Sequence, residues 1–249
     1  MVSGAALLTG LVAAGDAQAA CRNATIEAAR YVICEFDAHA DIELFLQDQS
    51  GATFGDFDRV RDALAARNRK LLFAMNAGMY HADRSPVGLY VEDGRKLKSL
   101  STADGPGNFS LKPNGVFFIA NGKAGVLETK AFQRKNISPK FATQSGPMLV
   151  IDGKLHPRFL KHSTSRYRRN GVGVAGSRIV FALADTPVTF HQFGRAFRDV
   201  LKTPNALYLD GNISRLYAAD LNRNDFGRTM GPIVAVSAPL SAQQEAPRP

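Results

Sequence analysis

Cysteine is scarce and long apolar runs are scarcer. The 249 residues include two cysteines, Cys21 and Cys34, and no second pair of Cys or His stands at the spacing of a tetrahedral zinc site. Beyond the N-terminal region no run of roughly 18 apolar residues occurs, so the body of the chain has no helical membrane span. Zinc-finger, helix-turn-helix and aromatic ribonucleoprotein motifs are missing, and with them any specific route to nucleic acid. No Gly-x-Ser-x-Gly elbow occurs, and Gln144-Ser145-Gly146-Pro147 has proline where a nucleophile-bearing helix must continue. That disfavours a serine hydrolase. Asp220, Asn222, Asn224 and Asp225 have a loose calcium-loop spacing without the bidentate Glu. His81, His156, His162 and His191 lack mutual ligand spacing. Neither a metal nor a cofactor is expected. No linker is long enough to divide the chain and no segment repeats, so residues 20–240 are expected to form a single domain.

What is present is ordinary for a globular protein: 45% apolar and 21% charged residues, enough to build a sizeable core. Residues 1–19 differ from the rest. They carry one charge, Asp16, and an apolar stretch around Ala5–Ala14 leads to Ala17-Gln18-Ala19, the small-x-small form of a leader-peptidase site. A signal peptide over 1–19 is expected, although the usual basic residue at its start is missing; a buried first helix is the alternative. Gln18 stands where a lipoprotein site needs an aliphatic residue. An exported chain, periplasmic or secreted, meets an oxidising compartment, where Cys21 and Cys34 form a disulfide; two unrelated buried thiols are the other reading. The net charge of +9 is spread along the chain, with a denser patch at Arg166–Arg169. An anionic partner follows, such as an envelope polymer or a phosphorylated sugar.

Arg30–Phe36 and Ile42–Leu46 read as strands, Asp56–Asn68 as an amphipathic helix, and Leu71–Met75 as a strand buried on both faces. Three hairpins follow, with turns at Asp93-Gly94, Asn121-Gly122 and Asp152-Gly153, where Asx-Gly favours type I′ geometry. Val172–Ala175 and Arg178–Ala184 form another strand pair. Gln192–Leu201 reads as a second helix with Phe193, Ala196, Phe197, Val200 and Leu201 on its apolar face. Ala206–Leu209 and Ile233–Val236 are short strands, and residues 241–249 form an unstructured tail. The expected class is α+β, with mixed, largely antiparallel sheets and a few helices.

Several strands end in small polar clusters: Asn76–Tyr80, Asn108-Phe109, Lys112–Gly115, Gln144–Pro147, Asp185-Thr186 and Asp210–Ser214. Each alone fits a turn. In order, however, Ala74-Met75-Asn76-Ala77-Gly78-Met79-Tyr80, Pro86–Leu89, Gly107–Phe109, Lys112–Phe117, Gln144–Leu149, Arg169–Gly173, Asn205–Gly211 and Gly231–Ile233 resemble the blocks of the phosphodiester glycosidase family. The resemblance spans residues 40–236, with Ala77 where glycine is commoner. It implies cleavage of a sugar 1-phosphodiester, releasing the sugar and leaving a phosphomonoester.

That reaction needs a carboxylate near the anomeric carbon, a cationic cradle for the phosphate and donors for the sugar. Phosphate leaves readily, so one carboxylate can replace the usual pair. Asp210 is the first choice, at the end of a buried strand, and Asp185 the second, facing Asp210 if their strands are neighbours. Arg169 is the expected phosphate ligand, its planar fork suiting bidentate binding. Asn76, Asn114 and Ser145 are expected to donate neutral hydrogen bonds, with Gly78, Gly146 and Gly211 allowing close backbone approach. A non-catalytic module binding an anionic envelope polysaccharide is the alternative function.

Overall fold

The alternating and uniformly apolar runs pair into three sheets in a computed structural model that describes residues 20–211 and 213–240. The expected leader over 1–19, the expected tail over 241–249 and Asn212 lie outside the described residues. The first sheet has seven strands, in the order Ala20–Ile26, Ala29–Asp37, Arg178–Val188, Tyr167–Ala175, Asn205–Tyr208, Met148–Ile151 and Lys154–Leu155. The second orders Arg223–Asn224, Leu216–Ala218, Arg69–Asn76, Ile233–Pro239 and Asp41–Phe45. The third orders Arg95–Lys98, Tyr90–Glu92, Phe141–Ser145, Gly115–Ala120 and Lys123–Glu128. Pairing between neighbouring strands is antiparallel, and short helices flank the sheets, which is the α+β class expected.

All three Asx-Gly turns have both central residues at positive φ: 47° and 76° at Asp93-Gly94, 50° and 68° at Asn121-Gly122, 45° and 78° at Asp152-Gly153. This is the type I′ signature, whose twist matches the flanking strands. Cys21 lies directly opposite Cys34 in the edge hairpin of the first sheet, and the two form a disulfide.

The largest core cluster draws on every sheet, and Phe181 joins them. Its ring lies 4.8 Å from that of Phe73 in the second sheet and 5.8 Å from that of Phe117 in the third. The first helix, Phe57–Ala65, starts where the Asp56 carboxylate accepts from the Arg59 amide, and it buries Phe57, Val60 and Leu64 against the second sheet. A helix at Thr129–Lys135, unforeseen from the sequence, is capped by Glu128.

The expected helix over 192–201 is two segments. Phe190–Arg195 is α-helical, opened by a Thr189/Gln192 capping box, and Ala196–Val200 continues as π-helix. There Leu201 N–H donates to the Ala196 carbonyl five residues back, at 2.9 Å. The wider turn keeps Phe193, Phe197 and Leu201 on the first sheet and turns Val200 outward, 53% exposed. Val200 therefore leaves the apolar face on which 3.6-residue periodicity placed it.

Candidate functional site

The strand Arg69–Asn76 of the second sheet and Asn205–Tyr208 of the first both run out at one seam, and their trailing loops are stitched together there. The Asp210 amide donates to the Ala77 carbonyl at 3.0 Å. The Asp210 carbonyl accepts from the side-chain amides of Asn76, at 2.8 Å, and Asn170, at 2.5 Å. One peptide is thus gripped from both sheets, which fixes the buried Asp210 carboxylate between two clefts, both of which it lines.

The first cleft, of about 560 Å³, is also lined by Ser165, Tyr167, Arg169, Phe190 and Tyr208. Arg169 comes from the strand Tyr167–Ala175 and is 1% exposed. Its Nε donates to the Val188 carbonyl (2.9 Å), Nη2 to the Ser165 carbonyl (3.3 Å) and Nη1 to the Tyr208 hydroxyl (3.4 Å). The guanidinium lies over the Phe190 ring, 3.7 Å from its centroid. A guanidinium has five N–H donors. Three are spent, and among the described residues no carboxylate pairs with it. Burial lowers its affinity for the proton, but arginine stays charged at any accessible pH. The cleft therefore holds a fixed, dehydrated positive charge with donors to spare.

Tyr208, two residues before Asp210 on the same side of the extended chain, has its phenol pKa pushed up to about 12, chiefly by burial. The Asp210 charge adds to this and Arg169 opposes it. Tyr80, in the second cleft, is likewise pushed up to about 12 by burial and by Asp210. Both phenols remain protonated donors at neutral pH. The second cleft, of about 330 Å³, adds His81, Arg84, Ile213 and Arg228.

The sequence-predicted residues divide. Asp210, Arg169 and Gly211 meet in the first cleft; a Cβ on Gly211 would overlap the Tyr208 hydroxyl. Asn76 is at the seam but fully buried, and both ends of its amide are occupied, by the Asp210 carbonyl and, at 3.0 Å, by the Arg215 amide. It positions the carboxylate's loop and lines neither cleft. Asn114 is turned away, donating to the Phe109 carbonyl (2.9 Å) and accepting from Thr129 (2.8 Å). Ser145 is buried, lines neither cleft, and its hydroxyl has no hydrogen-bond partner among the described residues. Gly78 and Gly146 serve packing: a Cβ would come within 2.6 Å of the Gln144 carbonyl at Gly78 and of the Asn114 Cβ at Gly146.

Asp185 does not face Asp210, because the strand Tyr167–Ala175 lies between theirs. Its carboxylate bridges Arg168 at 2.8 Å and Arg223 at 2.8 Å. Burial raises its pKa, but these two arginines outweigh burial and hold it below the usual range. Asp185 therefore ties the first sheet to the second. Asn170, Tyr208, Phe190, Tyr80, Arg84 and Arg228 escaped the sequence reading. Only Tyr208 had a signal, its two-residue spacing from Asp210. Among the described residues no three His, Cys, Asp or Glu side chains group as metal ligands, and no helix is long and apolar enough to cross a membrane.

Comparison with known proteins adds a family to this geometry. Residues 69–237 match the phosphodiester glycosidase family. An Escherichia coli (strain K12) protein named "Uncharacterized protein YigE" is 34% identical over 177 residues, covering 71% of this chain and 69% of its own. The solved catalytic domain of zebrafish N-acetylglucosamine-1-phosphodiester alpha-N-acetylglucosaminidase shares the fold, with a TM-score of 0.57 at 14% identity over 88% of this chain and 82% of that one.

Proposed function

We propose, because the chain belongs to the phosphodiester glycosidase family, that it hydrolyses a sugar 1-phosphodiester in the cleft between Asp210 and Arg169. The observation that carries this reading is a buried guanidinium with unspent donors and no carboxylate partner among the described residues, sharing one cleft with a buried carboxylate.

In this reaction the bond between the anomeric carbon and the phosphate oxygen breaks, the water oxygen joins the anomeric carbon, and the phosphate leaves as a monoester still attached to its acceptor. Positive charge develops on the sugar ring as that bond stretches. Asp210 stabilises it from a dry, fixed position, where a charge acts more strongly than in water. Arg169 receives the phosphate's growing negative charge, its plane held by three hydrogen bonds and the Phe190 ring. The neutral phenol of Tyr208 donates to the same group. Asn76 and Asn170 act through Asp210 by holding its peptide.

Export to the periplasm or beyond is supported by the leader-like residues 1–19 and by the Cys21–Cys34 disulfide. With a net charge of +9, the favoured substrate is a phosphorylated glycan or envelope polymer. The contacts of Phe181 with all three sheets support one domain over 20–240.

The test is release of free sugar from a panel of glycosyl phosphodiesters, nucleoside diphosphate sugars included, by the wild type and by Asp210→Asn. Turnover that falls roughly 10³-fold or more in the variant supports the assignment. No turnover across the panel, with retained binding of an anionic polysaccharide, overturns it in favour of a binding module.

A further inference from the structure

The second cleft that Asp210 lines, which Arg169 does not reach, is also cationic. Arg84 and Arg228, with His81 and Tyr80, line the second cleft, where Asp210 is the only carboxylate among the described residues. Neither arginine forms an ion pair with any described carboxylate. Arg84 Nη1 donates to the Ala82 carbonyl at 3.0 Å, and its guanidinium lies 5.5 Å from the centroid of the Tyr80 ring. The neighbouring Asp83 is turned to Ser85, accepting from its amide and hydroxyl at 3.0 and 2.7 Å, and does not line the cleft.

The backbone fixes where these residues leave the chain, while the His81 and Arg228 side chains are exposed. Arg84 sits at φ 72°, a left-handed conformation in which glycine is the residue without penalty. It closes a tight loop in which the Arg84 amide donates to the His81 carbonyl (2.9 Å) and the His81 amide to the Ser85 carbonyl (2.8 Å). A long cation kept at such a position is a local rule broken beside a site, the pattern expected where function offsets strain. Tyr80 is pressed from the other side by Gly231, where a Cβ would lie 2.5 Å from the ring. Arg228 is tied in through its carbonyl, which accepts from Arg215 Nη1 at 2.9 Å. The Arg215 amide in turn donates to Asn76 Oδ1, and the Nδ2 of that same Asn76 side chain holds the Asp210 carbonyl. The carboxylate and the second cationic wall are therefore registered through one asparagine.

We infer that His81, Arg84 and Arg228 form a second anion subsite, so that the substrate carries negative charge on both sides of the anomeric carbon at Asp210. A glycosyl phosphodiester whose sugar bears a further phosphate meets this requirement, as does the repeat unit of a chain of sugars joined by phosphodiesters. The inference rests on the hydrolytic reading for its substrate class, while the subsite itself is testable without turnover.

Calorimetric titration with a hexose 1-phosphate and the matching hexose 1,6-bisphosphate provides that test. The expected result is at least tenfold tighter binding of the bisphosphate by the wild type, an advantage that shrinks as salt is raised from 50 to 500 mM. In Arg84→Gln/Arg228→Gln the advantage falls below twofold. In Arg169→Gln affinity for both ligands drops while the advantage persists. Equal affinities in the wild type, no measurable binding of the bisphosphate, or an advantage that survives the double substitution overturns the subsite. An advantage without turnover of any glycosyl phosphodiester keeps the subsite and removes the hydrolytic reading; turnover without an advantage does the reverse.

Discussion

Taking a guanidinium out of water costs several kcal/mol unless hydrogen bonds and counter-charge replace its hydration. Arg169 has three hydrogen bonds to neutral oxygens and a ring face, and among the described residues no counter-charge pairs with it. An anionic ligand completes it. Added phosphate should therefore raise the melting temperature of the wild type more than that of Arg169→Gln, measured by thermal shift. Arg169→Lys, which keeps the charge and loses the fork, should still cost roughly 10- to 100-fold in kcat/KM. Tyr208 gives a pH signature. Its phenol pKa is about 12 folded, against about 10 in an unfolded chain, so its contribution to stability is full below pH 10 and is lost as pH rises toward 12. Urea denaturation across that window should show a decline that is shallower in Tyr208→Phe. At this scale the sequence was partly legible. Asp210 could be picked out because it ends a short apolar strand and Arg169 because its planar fork suits an anion, and both line the first cleft. Asn76 and Asn114 could not be told from substrate ligands, because which group an amide meets is decided by chain segments far away. For Asn76 that group is a carbonyl 134 residues on.

Elements were more legible where a local rule sufficed. The three Asx-Gly hairpins need only two residues and their flanks, and all three formed as expected. The strand Ala20–Ile26 and the helix Thr129–Lys135 carry weaker patterns and went unread, and the π-turn at Ala196–Val200 shifted the helix periodicity without marking it in the sequence. The disulfide closes a 13-residue separation between directly opposed strand positions. Replacing both cysteines by serine should cost about 3 kcal/mol of stability by the loop-entropy relation, read by urea denaturation, with kcat unchanged because the hairpin is at the far edge of the sheet. Asp185 acts between elements, bridging Arg168 of the first sheet and Arg223 of the second. Asp185→Ala should lower stability by about 2 kcal/mol at pH 7 and leave KM within twofold. Since its folded pKa is held below the unfolded value, that contribution is present above the unfolded pKa and fades as pH falls through the folded one.

At the scale of the whole molecule, three sheets converge on Phe181, and the ends of two of them converge on Asp210. Sheet order was the least legible property, since antiparallel neighbours far apart in sequence leave no local trace. That is why Asp185, within Arg178–Val188, and Asp210, just after Asn205–Tyr208, could not be seen to be separated by a third strand. At the seam a carboxylate whose peptide is held from two sheets lines two clefts, one with Arg169 and one with Arg84 and Arg228. Attack of water on the anomeric carbon and not on phosphorus can be read from hydrolysis of a glycosyl phosphodiester in ¹⁸O-labelled water, with both products weighed by mass spectrometry. The expected result is label in the released sugar, read before exchange at the anomeric position, and an unlabelled phosphomonoester. Label in the phosphate would contradict it and make the chain a phosphodiesterase acting at phosphorus.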